Sequence, residues 1–266
     1  MPYREKRIYS GAMLEIERVH CTSCGRIIGR RPRGVPTGKA QAKINLRNAQ
    51  LKLARLMCEN FRRGDYHITL TFGQSMTREQ QAEALAKLLR WLRKVCRKAG
   101  GGRYADGDLR YICVREDRGV RPHYHLVCQA FGLMVDELAK VWSWGRVDMG
   151  TLDGCPDYGW LARYLTKQED QDKGRKRWSQ SKNLRPPYMP EPKILKRKAL
   201  SYRPKVPKDY YALTHYRNAT AGGYEWEYII CIRKDRKQEL PLDIQEQLDQ
   251  AGCWSAYTED MEQTGL

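Results

Sequence analysis

No stretch of this chain approaches the roughly 18–20 apolar residues that a membrane-crossing helix requires. The opening residues, MPYREKRIYSGAM, contain no hydrophobic core and do not read as a signal peptide, so the expectation is a cytoplasmic protein without a membrane partner. A nucleotide-binding phosphate loop is also missing. The nearest candidate, GRRPRGVPTGK (29–39), has three residues between Gly34 and Gly38 where four are needed. Ala40 follows Lys39 where Ser or Thr is needed, which excludes an ATP site there. Internal repeats are absent. The nine cysteines are odd in number and come without a secretion signal, which favours reduced thiols over a disulfide framework. Cys21 and Cys24 beside His20 lack a second ligand pair at zinc spacing, since the next cysteine is Cys58.

Acidic charge is in short supply. Lys and Arg total 49 against 31 acids, a formal charge of +18 in 266 residues, and a balance that basic points to a polyanion. The excess is uneven. Residues 1–64 hold fifteen Lys/Arg and four acids, residues 173–209 hold thirteen and two, and residues 239–266 hold seven acids and no Lys or Arg. Two basic arms around a balanced middle suggest nucleic acid gripped from two sides. The acidic tail either folds back on a basic surface or is a solvated extension.

Periodicity orders the middle of the chain. Residues 40–60 have a helical period through Leu46, Leu53, Leu56 and Met57. GDYHITLTF (64–72) alternates as a strand, and Thr77 with Gln80 forms a capping box that opens an amphipathic helix to about Lys98. Glycines 100–102 end it. Strands follow at 109–116 and 123–129, then a short helix from Asp136 to about Trp142, a fourth strand at 145–150, and a helix over 157–170. The order β-α-β-β-α-β predicts an α+β fold of the split βαββαβ (ferredoxin-like) kind: an antiparallel sheet with helices on one face and the other free as a platform. Basic N- and C-terminal extensions flank it. The expected layout is a basic N-terminal extension with a helix (1–60), a catalytic domain (61–190) and a C-terminal extension with the acidic tail (191–266). YEWEYIICI (224–232) is a further possible strand.

Chemistry concentrates in RPHYHLV (121–127). In a strand, residues two apart share a face, so His123 and His125 stand side by side while Tyr124 and Leu126 point away. Two imidazoles suit a divalent metal. Glu116 ends the preceding strand and lies across the hairpin from them. It adds a carboxylate and leaves positions for water and a phosphate oxygen, which suits Mg²⁺ or Mn²⁺. Asp117 is the competing carboxylate, because one residue of register exchanges the two. On the last helix, Tyr164 and Lys167 are three apart and share a face, so the ammonium can favour the phenolate.

HITLTF (67–72), PHYHLV (122–127) and YLTK (164–167), in this order, resemble the three motifs of the HUH endonuclease superfamily, in particular the rolling-circle replication initiators of phages, plasmids and integrative elements. VWSWGRVDMG (141–150) is similar to their tryptophan-glycine segment, and KRWSQSKNLRPP (176–187) to a basic stretch that follows the tyrosine helix. The resemblance implies that Glu116, His123 and His125 hold the metal, that Tyr164 attacks a phosphate of single-stranded origin DNA, and that Lys167 assists. It further implies DNA contacts by Arg163, Trp178, Lys182 and Arg185. A 5′-phosphotyrosine and a free 3′-hydroxyl would result, with a host helicase and DNA polymerase as partners. Tyr158, six residues before Tyr164, is rotated about 240° around a helix and cannot act beside it. Gln168, four after the tyrosine, keeps a single-tyrosine transposase as an alternative. A non-catalytic, RNA-recognition-like binding module is the rival of another class, but the stacking aromatics of such a sheet are missing where the histidines stand. Trp142, Trp144 and Trp178 are separate candidates for stacking unpaired bases, with half or more of them expected to be core or rim packing. His67 is expected to be structural.

Overall fold

The computed structural model describes residues 2–21, 38–104, 106–117, 121–154, 157–167, 176–196, 200, 206–220 and 223–251. In chain order the elements are β1 (Tyr3–Ser10), β2 (Met13–His20), α1 (Lys39–Asn60), β3 (Tyr66–Phe72), α2 (Arg78–Lys98), β4 (Tyr111–Glu116), β5 (His123–Cys128), α3 (Val135–Val141) and β6 (Gly145–Thr151). They continue with α4 (Gly159–Leu165), β7 (Ser179–Gln180), β8 (Lys193–Leu195), β9 (Tyr210–Ala219), β10 (Glu225–Arg233), a 3-10 helix (Lys234–Glu239) and α5 (Leu242–Ala251). No helix among the described residues is long and apolar enough to cross a membrane. The chain divides into two compact units, Leu46–Arg185 and Met1–Asn45 with Pro186–Leu266.

In the unit Leu46–Arg185 the strands lie in the order β6-β3-β5-β4-β7, all antiparallel. The α+β class and the β-α-β-β-α-β order are as the periodicity predicts. Alternation in β3 puts Tyr66, Ile68, Leu70 and Phe72 on one face, where Tyr124, Leu126 and Cys113 join them. The inner stripe of α2 (Ala84, Leu88, Leu89, Leu92) covers that face, and the Thr77–Gln80 capping box forms as expected. The opposite face differs from the open platform expected. Ile112, Val114 and Val127 alternate with the first set and are covered by Leu53, Leu56 and Met57 of α1 and by Ala162 and Leu165 of α4. Two apolar sets in period two need two covers; the rest of this face carries the polar side chains His67, Thr69, Thr71, Glu116, His123 and His125.

Two details hold the sheet in register. Gly145 opens β6 against the end of β3, and a Cβ there would stand 2.1 Å from the Thr71 carbonyl oxygen. Trp142 is buried beside it and donates its indole N–H to that same carbonyl at 3.3 Å. Of the three tryptophans weighed as stacking candidates, Trp142 is thus core packing. Trp144 is half-buried edge-on against Trp142, 5.2 Å between centroids. Asp65, fully buried, precedes β3. It pairs with the Arg103 guanidinium and accepts from the backbone N–H of Ala130 at 2.8 Å and of Arg62 at 3.0 Å.

The other unit carries a second antiparallel sheet, β8-β1-β2-β10-β9. The strands β1 and β2 fall within the basic N-terminal extension, in which a helix but no strand was expected, and YEWEYIICI is the strand β10 beside β2. Here charge is buried as pairs. Arg18 reaches Glu5 at 2.8 Å and Glu227 at 2.6 Å, and His215 lies 3.0 Å from Glu227, next to an apolar patch of Leu14, Ile16, Ile229 and Cys231. Cys24, Gln168, the loop 29–37 and the tail from residue 252 lie outside the described residues.

Candidate active site

The β4–β5 hairpin pairs Glu116 directly with His123, and β5 pairs His125 with Thr69 and His123 with Thr71 of β3. Directly opposed residues share a face, so Glu116, His123 and His125 converge. Their ligand atoms all lie within 4.8 Å of one another, the sole such group of three or more among the described residues. Glu116 Oε2 stands 3.4 Å from Nε2 of His123 and 3.4 Å from Nε2 of His125. Asp117 points elsewhere: it pairs with Arg115 at 2.7 Å and Arg78 at 3.1 Å. The register thus brings Glu116, not Asp117, to the histidines.

The hydrogen bonds behind the two rings decide which nitrogen faces forward. His123 Nδ1 lies 3.1 Å from the Arg121 carbonyl, which can only accept, so Nδ1 donates there and Nε2 is the nitrogen that faces Glu116. His125 Nδ1 lies 3.3 Å from His67 Nε2 and 3.4 Å from Thr69 Oγ1. Its Nε2 is buried and has no hydrogen-bond partner. A buried imidazole nitrogen 3.4 Å from a carboxylate oxygen, with a second imidazole beside it and the outer nitrogens held from behind, is a donor set that could hold a divalent cation. Burial pushes the His125 pKa down to about 4, helped by the charges of His67 and His123. The ring is therefore neutral and able to ligate at neutral pH. Burial also lowers His67. That residue stacks on His125 with centroids 5.4 Å apart, and supports it from behind rather than joining the three. Burial pushes the Glu116 carboxyl up, but the hydrogen bond and charge of Lys167, then the charge of His123, outweigh it and leave the pKa below the ordinary value.

Tyr164 approaches from α4. Its half-buried ring meets His125 edge-on, 5.4 Å between centroids. Helix α4 is shorter than the sequence suggests. It ends at Leu165 with Thr166 as its cap, so Lys167 lies just beyond it. The ammonium still sits 4.5 Å from the Tyr164 ring centroid and 3.1 Å from Glu116 Oε1. Tyr158 adopts a left-handed φ of 45° at the start of the helix and is buried with Leu152 and Leu165. It is part of the core and stands apart from the polar cluster.

The other sequence candidates separate. Arg163, Lys182 and Arg185 are exposed. The Arg185 backbone is clamped by buried Asn60, which accepts from its N–H at 2.8 Å and donates to its carbonyl at 2.8 Å. Trp178 is half-buried against the α1–α4 core and donates to Gln180 at 2.8 Å. The aromatic that sequence reading passed over is Trp160. It stacks on Tyr164 with centroids 5.6 Å apart and planes 8° from parallel. Its signal was available: the two residues are four apart on one helix.

Residues 65–169 match the family model described as Replication-associated protein ORF2/G2P, which supports a role in DNA replication. That span begins at the Asp65 anchor and takes in Glu116, His123, His125, Tyr164 and Lys167. No curated protein matches the chain. No solved structure does.

Proposed function

We propose that the chain is a replication initiator that nicks and rejoins single-stranded origin DNA, a metal-dependent endonuclease and strand transferase with Tyr164 as nucleophile. Glu116, His123 and His125 would hold the cation. Mg²⁺ or Mn²⁺, when bound, supplies Lewis-acid polarisation of the scissile phosphodiester. Tyr164 Oη attacks phosphorus, the bond from phosphorus to the 3′-oxygen breaks, and a 5′-phosphotyrosine forms. The phenolic proton leaves to solvent and the departing 3′-oxygen takes one up. Lys167 offers its ammonium to the phenolate and to the charge gathering on the phosphate. One phosphodiester replaces another, so a second transfer reseals the strand without ATP. The free 3′-hydroxyl would prime a host polymerase, with a host helicase opening the duplex.

The observation that carries this reading is Lys167, which joins the two halves: its ammonium lies 3.1 Å from the Glu116 carboxylate and 4.5 Å from the centre of the Tyr164 ring. A binding module has no use for that arrangement of base-like, acidic and phenolic groups beside a paired imidazole site. The test uses labelled single-stranded oligonucleotides tiling the replicon that encodes the protein, incubated with the full chain and Mn²⁺. A nicked product together with a denaturation-resistant protein–DNA band is expected, both lost in Tyr164→Phe and with chelator. Nicking at full rate by Tyr164→Phe would remove Tyr164 from the role.

A further inference from the structure

Trp160 is the only exposed tryptophan among the described residues, with 65% of its surface open to solvent. Packing on the core does not explain it, since the buried side of α4 is Ala162 and Leu165. Nor is the side chain loose, because one indole face lies almost parallel on the Tyr164 ring. The three rings His125, Tyr164 and Trp160 form a ledge that starts at the candidate metal cluster and runs outward to solvent. Exposed Arg163 lies on the same helix.

We propose that Trp160 stacks an unpaired nucleobase next to the phosphate that Tyr164 attacks; this inference rests on the nicking function proposed above. A base inside a duplex has both faces occupied by its neighbours, so only single-stranded nucleic acid offers a free face to the indole. The stereochemistry of the transfer selects which base. In an in-line displacement the 3′-oxygen leaves on the side away from Tyr164. The nucleotide still joined through its 5′-oxygen is the one alongside the Tyr164 ring, and its base reaches the indole. Trp160 would then hold the strand that stays covalently attached, which is the strand that must be kept for resealing.

The test is a binding measurement on the full chain in chelator, where no chemistry occurs. Two fluorescein-labelled probes of about 20 units are compared, an oligothymidylate and an abasic backbone of the same length. Stacking on one aromatic predicts that Trp160→Ala weakens oligothymidylate binding about ten-fold. Abasic binding should stay unchanged, and Trp160→Phe should restore most of the loss. An equal loss on both probes, no loss on either, or a wild-type chain that binds the two probes equally would overturn the assignment while leaving nicking by Tyr164 intact. A wild-type chain that binds neither probe would overturn the proposed function with it. Should Trp160→Ala fail to fold, tryptophan emission decides. Oligothymidylate should quench the wild-type signal and quench Trp160→Phe markedly less; equal quenching overturns the proposal.

Discussion

His125 must be rigid, which burial secures, and neutral, which burial also secures. Its pKa of about 4 against an ordinary 6.5 has a consequence for stability. Between these values the unfolded chain binds a proton that the folded chain refuses, so stability is lost as pH falls from about 6.5 towards 4. His67, also lowered, acts in the same direction. Glu116, whose folded pKa is depressed, adds a further loss at lower pH. Chemical denaturation in chelator should therefore give midpoints that are nearly level above about pH 7 and fall from about pH 6.5 to 5, and His125→Phe should flatten that fall; an unchanged slope would mean that His125 is not held neutral. At this scale the sequence showed the residue types but not their sorting. Glu116 and Asp117 are adjacent acids, and only strand register distinguishes the one facing two imidazoles from the one facing Arg78 and Arg115. The tryptophans show the same limit: Trp142 and Trp160 are equally aromatic in sequence, yet one supports the end of β3 and the other faces water.

The elements that could be read were those whose apolar side chains keep one period. β3 and α2 appear at their expected places because Ile68, Leu70 and Phe72 alternate and because Leu88, Leu89 and Leu92 recur on one stripe. β1 and β2 escaped because they bury charge. Glu5 and Arg18 satisfy each other inside the sheet, and a pattern of charges interleaved with apolar residues reads as a solvated arm unless the partners are known. The sheet of the unit Leu46–Arg185 has its own buried pair in Asp65 and Arg103, which ties the start of β3 to the backbone of Ala130 and Arg62. Asp65→Ala would strand the guanidinium and two backbone N–H groups. It should cost about 3–5 kcal/mol of stability, read by denaturant titration. A loss under about 1 kcal/mol would mean that the pair is effectively solvent-screened.

Over the whole molecule, a net charge of +18 sets the affinity for a polyanion before any base is read. Arg163, Lys182 and Arg185 are the exposed cations of the unit Leu46–Arg185 that the sequence singled out. If each neutralises one phosphate, replacing all three with Gln should lower the slope of log affinity against log salt by about 2 on single-stranded DNA. An unchanged slope would place the DNA path elsewhere. The family match over residues 65–169 takes in four of that sheet's five strands and both halves of the site, while β7 and the second sheet lie beyond it and the role of that second sheet is not given by the likeness. The claim on which the account turns is the phosphotyrosine, and its chemistry is open to direct reading. Arg163 precedes Tyr164 and Lys167 closes the segment, so trypsin releases Tyr164 within the short peptide YLTK. After reaction with origin-derived single-stranded DNA and Mn²⁺, followed by nuclease and trypsin digestion, mass spectrometry should find a 5′-linked nucleotide on Tyr164. A nicked strand carrying a free 5′-phosphate with no protein adduct, or an adduct on any other residue, would contradict the account.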